Sequence, residues 1–129
     1  MGGGHEFDRT RLMLGGAVME RLWKSSVAVF GIGGVGSHCA QALARSGVGR
    51  LILVDDDSVS ETNLNRQCVA WRSTIGQKKT AVMERMIREI CPDIRVLTFE
   101  TFVLPDNVEA LFERAGQVDY IVDAIDTVA

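Results

Sequence analysis

Four short apolar runs punctuate this chain, and the segments between them carry helical periodicity. The runs are Val27 to Phe30, Leu51 to Val54, Ile94 to Phe99 and Val118 to Val122. The first is continuous, without the polar alternation of a half-exposed strand, so it reads as a strand buried on both faces of a parallel sheet. Val35 to Ser46 reads as a helix stopped by Gly47 and Gly49. Lys78 to Cys91 reads as an amphipathic helix with a stripe of Ala81, Val82, Met86, Ile87 and Ile90, and Cys91-Pro92 ends it. A third helix opens at Pro105-Asp106-Asn107 and runs through about Arg114. Ahead of the first strand, Val18, Met19, Leu22 and Trp23 recur at helical spacing within Ala17 to Trp23. This N-terminal helix is expected to pack outside the strand–helix unit. A short helix over Ser60 to Asn65, capped by Ser58 or Ser60, and a turn over Ser73 to Gly76 complete the pattern.

The stretch from Ser25 to Asp57, SSVAVFGIGGVGSHCAQALARSGVGRLILVDDD, gives the pattern its centre. Its turn is Gly31-Ile32-Gly33-Gly34-Val35-Gly36, a GxGxxG with an extra glycine at Gly34, placed between a strand and a helix. Gly31 permits the tight turn, Gly33 lets the backbone approach a phosphate, and Gly36 lets the helix lie close to the strand. The helix N-terminus offers free N–H groups and the positive end of its dipole. Asp55 ends the second strand 19 residues after Gly36, close to the spacing of a carboxylate that holds a ribose hydroxyl. The plain alternative is a tight turn with no ligand. With right-handed crossovers the expected fold is α/β, a Rossmann-like, doubly wound, mainly parallel sheet of order 3-2-1-4 with an N-terminal helix.

Bulk properties narrow this frame. The 129 residues suffice for one domain with a real core. A net charge of −3 does not favour a nucleic-acid binder by composition. No apolar run approaches the roughly 18–20 residues of a membrane span, so no membrane partner is expected. Three cysteines, Cys39, Cys68 and Cys91, give neither a paired framework nor a CxxC zinc motif, and a reducing, cytoplasmic setting follows. Residues 1–6 read as a disordered, glycine-rich leader. The chain ends at DYIVDAIDTVA, just after the fourth strand, and residues 1–129 are read as the N-terminal part of a longer protein or domain.

Several side chains could carry chemistry. Asp55, Asp56 and Asp57 cluster at a strand end, where open α/β sheets bind ligands. Asn63, Arg66 and Lys79 lie in the connection that follows and can converge on the phosphate end of a nucleotide. A guanidinium and an ammonium there would neutralise charge developing on phosphate oxygens. Asp123 and Asp126 flank the end of the fourth strand, where a carboxylate could hold Mg2+ beside a triphosphate. The blander readings are surface charge for Arg66 and Lys79 and a helix N-cap for Asp123 or Asp126. Cys39 and Cys91 read as core or structural cysteines, and a nucleophilic Cys68 is the minor reading. His38 reads as a packing or surface histidine, and Trp23 and Trp71 as packing or interface residues. Arg9 and Arg11 read, on their own, as solvated surface charge.

Four motifs together resemble the ubiquitin-activating-enzyme-like ThiF/MoeB family over about Phe7 to Val128. They are GIGGVGS (Gly31 to Ser37), LVDDDSVSETNLNRQ (Leu53 to Gln67), IGQKKT (Ile75 to Thr80) and VDAIDT (Val122 to Thr127). The resemblance implies an ATP-binding, adenylating domain. It implies a cradle of Gly31, Gly33, Gly34 and Gly36, with Asp55 and Asp57 belonging to the acidic nucleotide-binding motif and Asp55 on the ribose. Asn63 and Arg66 would hold ATP phosphates, Lys79 would join them, and Asp126 would help place Mg2+. It further implies a homodimer in which Arg9, or Arg11 in its place, reaches the partner's γ-phosphate. Arg66, Lys79, Asp126 and Arg9 would then be the catalytic set. Lys78 departs from the proline that many relatives carry before the lysine.

Stretches such as FDRTRLMLG and FVLPDNVEALF point within that family to the branch that acts on threonylcarbamoyladenosine in tRNA. The implied reaction is ATP-dependent adenylation of the threonyl carboxylate, then ring closure with loss of water. The alternatives are adenylation of the C-terminus of a ubiquitin-like sulfur carrier, with a sulfur-donor protein partner, a NAD-dependent oxidoreductase, and a nucleotide-binding fragment without turnover. A NAD enzyme would leave Arg66, Lys79 and Asp126 without a purpose.

Overall fold

The computed structural model describes residues 15–60, 67 and 69–125. In chain order they form α1 (Gly16–Lys24), β1 (Ser26–Phe30), α2 (Gly34–Ser46), β2 (Arg50–Val54) and a 3-10 turn at Arg72–Thr74. These are followed by α3 (Lys79–Ile90), β3 (Arg95–Phe99), α4 (Val108–Ala115) and β4 (Tyr120–Asp123). The strands make one parallel sheet in the order β3-β2-β1-β4, as expected from the sequence. The expected helix over Ser60 to Asn65 and the leader over residues 1–6 lie outside the described residues.

The uninterrupted apolar runs take the middle of the sheet. All five residues of β1 are buried, and all of β2 except Arg50. Alternate residues feed opposite faces, as the strand period of two requires. Val27, Val29, Leu51 and Leu53 join Ile32, Ala40, Ala44, Met83 and Ile87 on one face. Ala28, Phe30, Ile52 and Val54 join Phe99, Leu111 and Ala115 on the other. Helices α2 and α3 therefore cover one face and α4 the other, which is the doubly wound arrangement.

Helix α1 is not an outlying addition. Met19 is buried in the first cluster, and Leu22 and Trp23 pack against it. The Gly49 N–H donates to Leu22 O at 3.2 Å. A Cβ at position 49 would lie 1.8 Å from Trp23 O. The end of α1 is thus seated on the turn that enters β2, which corrects the expectation of a helix outside the unit. The stripe on α3 also shifts. Its buried residues are Lys79, Thr80, Val82, Met83 and Ile87. Met86 and Ile90 are partly buried at the border of the first cluster. The buried face follows i, i+4 and i+8 from Lys79, and a hydrophobic pattern cannot extend itself onto a lysine.

Two boundaries move for local reasons. Asn107 accepts the Leu104 N–H at 2.8 Å on Oδ1 and donates from Nδ2 to Phe102 O at 2.7 Å. This closes a turn over 105–107, so Pro105 precedes α4 instead of opening it. Val118 lies ahead of β4 yet still packs on the second cluster. Cys91 is fully buried, whereas Cys39 is only half-buried and is not a core residue.

The amino end of the sheet is tied by two side chains. Arg50 donates to Ser26 Oγ at 3.1 Å, to Gln117 O at 2.8 Å and to Ala115 O. Asp119 accepts the Gln117 side-chain amide at 2.9 Å and the Ser26 N–H at 2.8 Å. Those bonds, the Gln117 bond first, hold the Asp119 carboxyl below its ordinary value. Among the described residues no helix is long and apolar enough to cross a membrane.

Candidate functional site

At the opposite, carboxyl end of the sheet, β1 runs into the glycine turn. Gly31 has φ +92°, in the left-handed region that glycine adopts without strain. Its N–H donates to Val54 O at 2.9 Å, and Phe30 O accepts the Ala124 N–H at 2.8 Å. The turn is therefore bonded to the ends of both neighbouring strands. A Cβ at 31 would meet Ala124 O at 2.7 Å, and one at 36 would lie 1.7 Å from Gly31 O. Gly36 is thus required by the approach of α2 to the strand end, as the spacing predicts.

Gly33 differs from both. Among the described residues a Cβ there would meet only Gln67 Nε2, at 3.8 Å. Neither packing nor a positive φ demands a glycine at this position. What a side chain would fill is the space in front of the N-terminus of α2, for which Gly33 is the N-cap. That space is where a phosphate would lie against the backbone N–H groups.

Asp55 is held from two sides. Its Oδ2 accepts the Ile32 N–H at 2.6 Å, and its Oδ1 accepts the Asp57 N–H at 2.6 Å. A carboxylate offers about four acceptor positions, so both oxygens retain capacity for a ribose hydroxyl. The two bonds fix the carboxylate beside the glycine turn before any ligand arrives.

The segment after β2 returns to the N-terminus of α3. Ser58 bridges Lys78, Val59 N–H donates to Gln77 O at 2.8 Å, and Lys79 N–H donates to Asp57 O at 3.1 Å. Lys78 turns its ammonium onto Asp56 O at 2.9 Å. Lys79 is 6% exposed, and its Nζ lies 3.8 Å from Asp57 Oδ2. Among the described residues this buried ammonium has only an ion pair at the long limit, with an exposed carboxylate, which suits a group that meets an anion. Asp57 thus links Lys79 to Asp55, and the three predicted residues come together.

Asp123 stands opposite Phe30 in the register of β4 and β1. Its Oδ1 accepts the Ile125 N–H at 3.3 Å, a local turn bond at this edge of the site. Among the described residues no group of three acidic, histidine or cysteine side chains could hold a metal ion. Arg9, Arg11, Asn63, Arg66, Cys68 and Asp126 lie outside the described residues.

Two buried polar atoms at this end have no hydrogen-bond partner among the described residues, Gln67 Oε1 and Thr80 Oγ1. Neither was singled out by sequence reasoning. Each directly follows a residue that was, Arg66 and Lys79, and that adjacency was the available signal.

The chain is 46% identical over 124 residues to the tRNA threonylcarbamoyladenosine dehydratase of Bacillus subtilis, covering 96% of this chain and 48% of the relative. It superimposes with a TM-score of 0.89 on the crystal structure of Escherichia coli tRNA N6-threonylcarbamoyladenosine dehydratase, TcdA, in complex with ATP. There the identity is 43%, over 95% of this chain and 50% of that one. It is also 33% identical over 110 residues to the sulfur carrier protein ThiS adenylyltransferase of Escherichia coli, covering 85% of this chain and 43% of the relative. The chain thus spans about half the length of these curated relatives. Residues 7–129 match the ThiF family, and the chain belongs to that family.

Proposed function

We propose that this protein binds ATP and activates a carboxylate by adenylation, its substrate being the threonyl carboxylate of threonylcarbamoyladenosine in tRNA. The observation that carries the reading is the glycine turn itself: among the described residues a Cβ at Gly33 would meet only Gln67, Asp55 is bonded to the turn at Ile32, and the buried Lys79 pairs with Asp57 two residues on from Asp55. The similarity to tRNA threonylcarbamoyladenosine dehydratases supports the choice of substrate.

A carboxylate is a poor electrophile because its oxide leaves badly. An oxygen of the threonyl carboxylate attacks the α-phosphorus, the bond to the β,γ-phosphates breaks, and an acyl adenylate and pyrophosphate result. A nucleophile of the same modification then attacks the acyl carbon, a ring closes and AMP departs. The carboxylate oxygen leaves on AMP and the nucleophile loses a proton, so the elements of water are lost from the tRNA. Backbone N–H groups at Gly33 and Gly34 would receive the phosphates, Asp55 the ribose, and Lys79 the growing negative charge. Asn63 and Arg66 are assigned to the phosphates and Asp57 to the acidic rim. Asp126 is assigned to Mg2+, whose role would be to neutralise charge on the phosphates. Arg9 is assigned to the γ-phosphate of the partner subunit in a homodimer. No cysteine nucleophile is needed, and a cytoplasmic setting suits a tRNA substrate.

The test is incubation of the full-length protein with ATP, Mg2+ and tRNA carrying threonylcarbamoyladenosine, read by mass spectrometry. A loss of 18 Da, the mass of one water, that requires ATP is expected. Arg66→Ala and Asp126→Ala should each abolish ATP–pyrophosphate exchange while the fold is kept. Exchange unchanged in both would overturn the mechanism. The second reading, adenylation of a ubiquitin-like sulfur carrier, is favoured by the 33% identity to the ThiS adenylyltransferase. Exchange stimulated by a carrier ending in Gly-Gly, and not by the modified tRNA, would select it.

A further inference from the structure

We propose that Gln67 is a nucleotide-binding residue whose side-chain oxygen accepts a hydrogen bond from an O–H group that arrives with the nucleotide. The inference rests on the ATP-binding reading above and deepens it. Gln67 is 7% exposed, and its Oε1 is fully buried with no hydrogen-bond partner among the described residues. A buried amide oxygen left unsatisfied costs about 1–3 kcal/mol, and such atoms are rare in folded proteins. The position explains it. Gln67 Nε2 is the one described neighbour of the space a side chain at Gly33 would enter. The amide therefore borders the cradle at the point where α2 begins.

The adjoining bond sets what can reach it. Ile32, the residue before Gly33, donates its N–H to Asp55 Oδ2 at 2.6 Å, so the carboxylate expected on the ribose lies one residue along the turn. An acceptor oxygen needs a donor, and phosphate oxygens at neutral pH supply none. The adenine amine lies at the end of the nucleotide remote from the phosphates, so beside the turn the donor is an O–H group, either a ribose hydroxyl or a water carried on the phosphates. Among the described residues this acceptor is unpaired, and ligand binding satisfies it. The main chain of Gln67 is fixed independently, its carbonyl accepting the Ala70 N–H at 3.1 Å, which holds the side chain in place beside the turn.

The test compares full-length wild type with Gln67→Met, which keeps length and removes the amide. Calorimetric titration with ATP and Mg2+ should show a dissociation constant raised about tenfold. The melting temperature of the nucleotide-free protein should hold or rise, because an unpaired polar atom has been removed. Repeating the titration with 2′-deoxy-ATP and 3′-deoxy-ATP separates the two donors. If a ribose hydroxyl is the donor, the loss on Gln67→Met disappears with the matching analogue, and if a water is the donor it persists with both. Should Gln67→Met not fold, Gln67→Asn, one methylene too short to reach, is expected to show the same loss. A folded variant that binds ATP within twofold of wild type overturns the proposal, as does a fall in melting temperature with affinity retained. A wild type that does not bind ATP overturns the proposed function itself, and the two failures are thereby distinct.

Discussion

The carboxylate of Asp55 and the backbone N–H of Ile32 are joined at 2.6 Å, so the end of β2 holds the glycine turn that follows β1. From the sequence Asp55 reads as a ligand-binding residue. Here it also carries a structural bond, and a second one to Asp57 N–H. Asp55→Asn keeps one acceptor oxygen and loses the charge. It should destabilise the nucleotide-free protein by about 1–3 kcal/mol and weaken ATP by at least about tenfold. Urea unfolding and calorimetric titration measure the two effects separately.

Gly33 and Gly36 should part ways under the same substitution. Gly36→Ala places a methyl 1.7 Å from Gly31 O, a backbone atom that cannot step aside. A loss of about 3 kcal/mol or more is expected, against the gain of up to about 1 kcal/mol that alanine brings to a helix. Gly33→Ala meets only Gln67 Nε2 at 3.8 Å and should leave the melting temperature unchanged. ATP affinity should nevertheless fall by about tenfold or more, since the methyl occupies the phosphate space. Equal melting losses in both variants would contradict the distinction.

Lys79 is buried beside the apolar stripe of α3 and faces Asp57 across 3.8 Å. Lys79→Met keeps the buried stem and removes the charge. The free protein should melt at the same temperature or higher. ATP–pyrophosphate exchange by the full-length protein should drop at least about a hundredfold, the scale of losing one charged group that stabilises the transition state. Retained exchange would show that Lys79 is a packing residue.

Acid should loosen the amino end of the sheet through Asp119. Its folded pKa lies below the unfolded value, owing to the Gln117 side-chain bond and then the Ser26 N–H. The stability it adds is therefore present above the unfolded value, near 4, and is lost as pH falls through the lower folded value. Asp119→Asn should flatten that part of the stability profile below about pH 4. Thermal melts between about pH 2 and pH 7 would show this as a reduced slope relative to wild type.

Much of this was legible in sequence because it rests on local chemistry. The runs of β1 and β2, the glycine spacing, and Asp55 at a strand end each announce themselves within a few residues. The sheet order followed from short right-handed connections. What could not be read depends on contacts between distant segments. The seating of α1 comes from the approach of Gly49 to Trp23 O, for which no pattern in either segment exists. The burial of Lys79 comes from the bridge between Ser58 and Lys78, which presses the start of α3 against the segment after β2. Gln67 carries no charge to mark it in the sequence, and its importance lies in a side-chain oxygen without a partner among the described residues, which depends on packing.

The ties made by Arg50 and Asp119 hold the sheet from the end remote from the glycine turn. One pole of the strands thereby carries ties that serve stability alone, while at the other the same residues serve stability and the candidate site together. Substitutions around Ser26, Gln117 and Asp119 can tune heat tolerance while the ligand end is left alone. The carboxyl pole has ties of its own through Asp55 and Gly36, so room for new side chains there is confined to positions such as Gly33 that neither bond nor pack tightly.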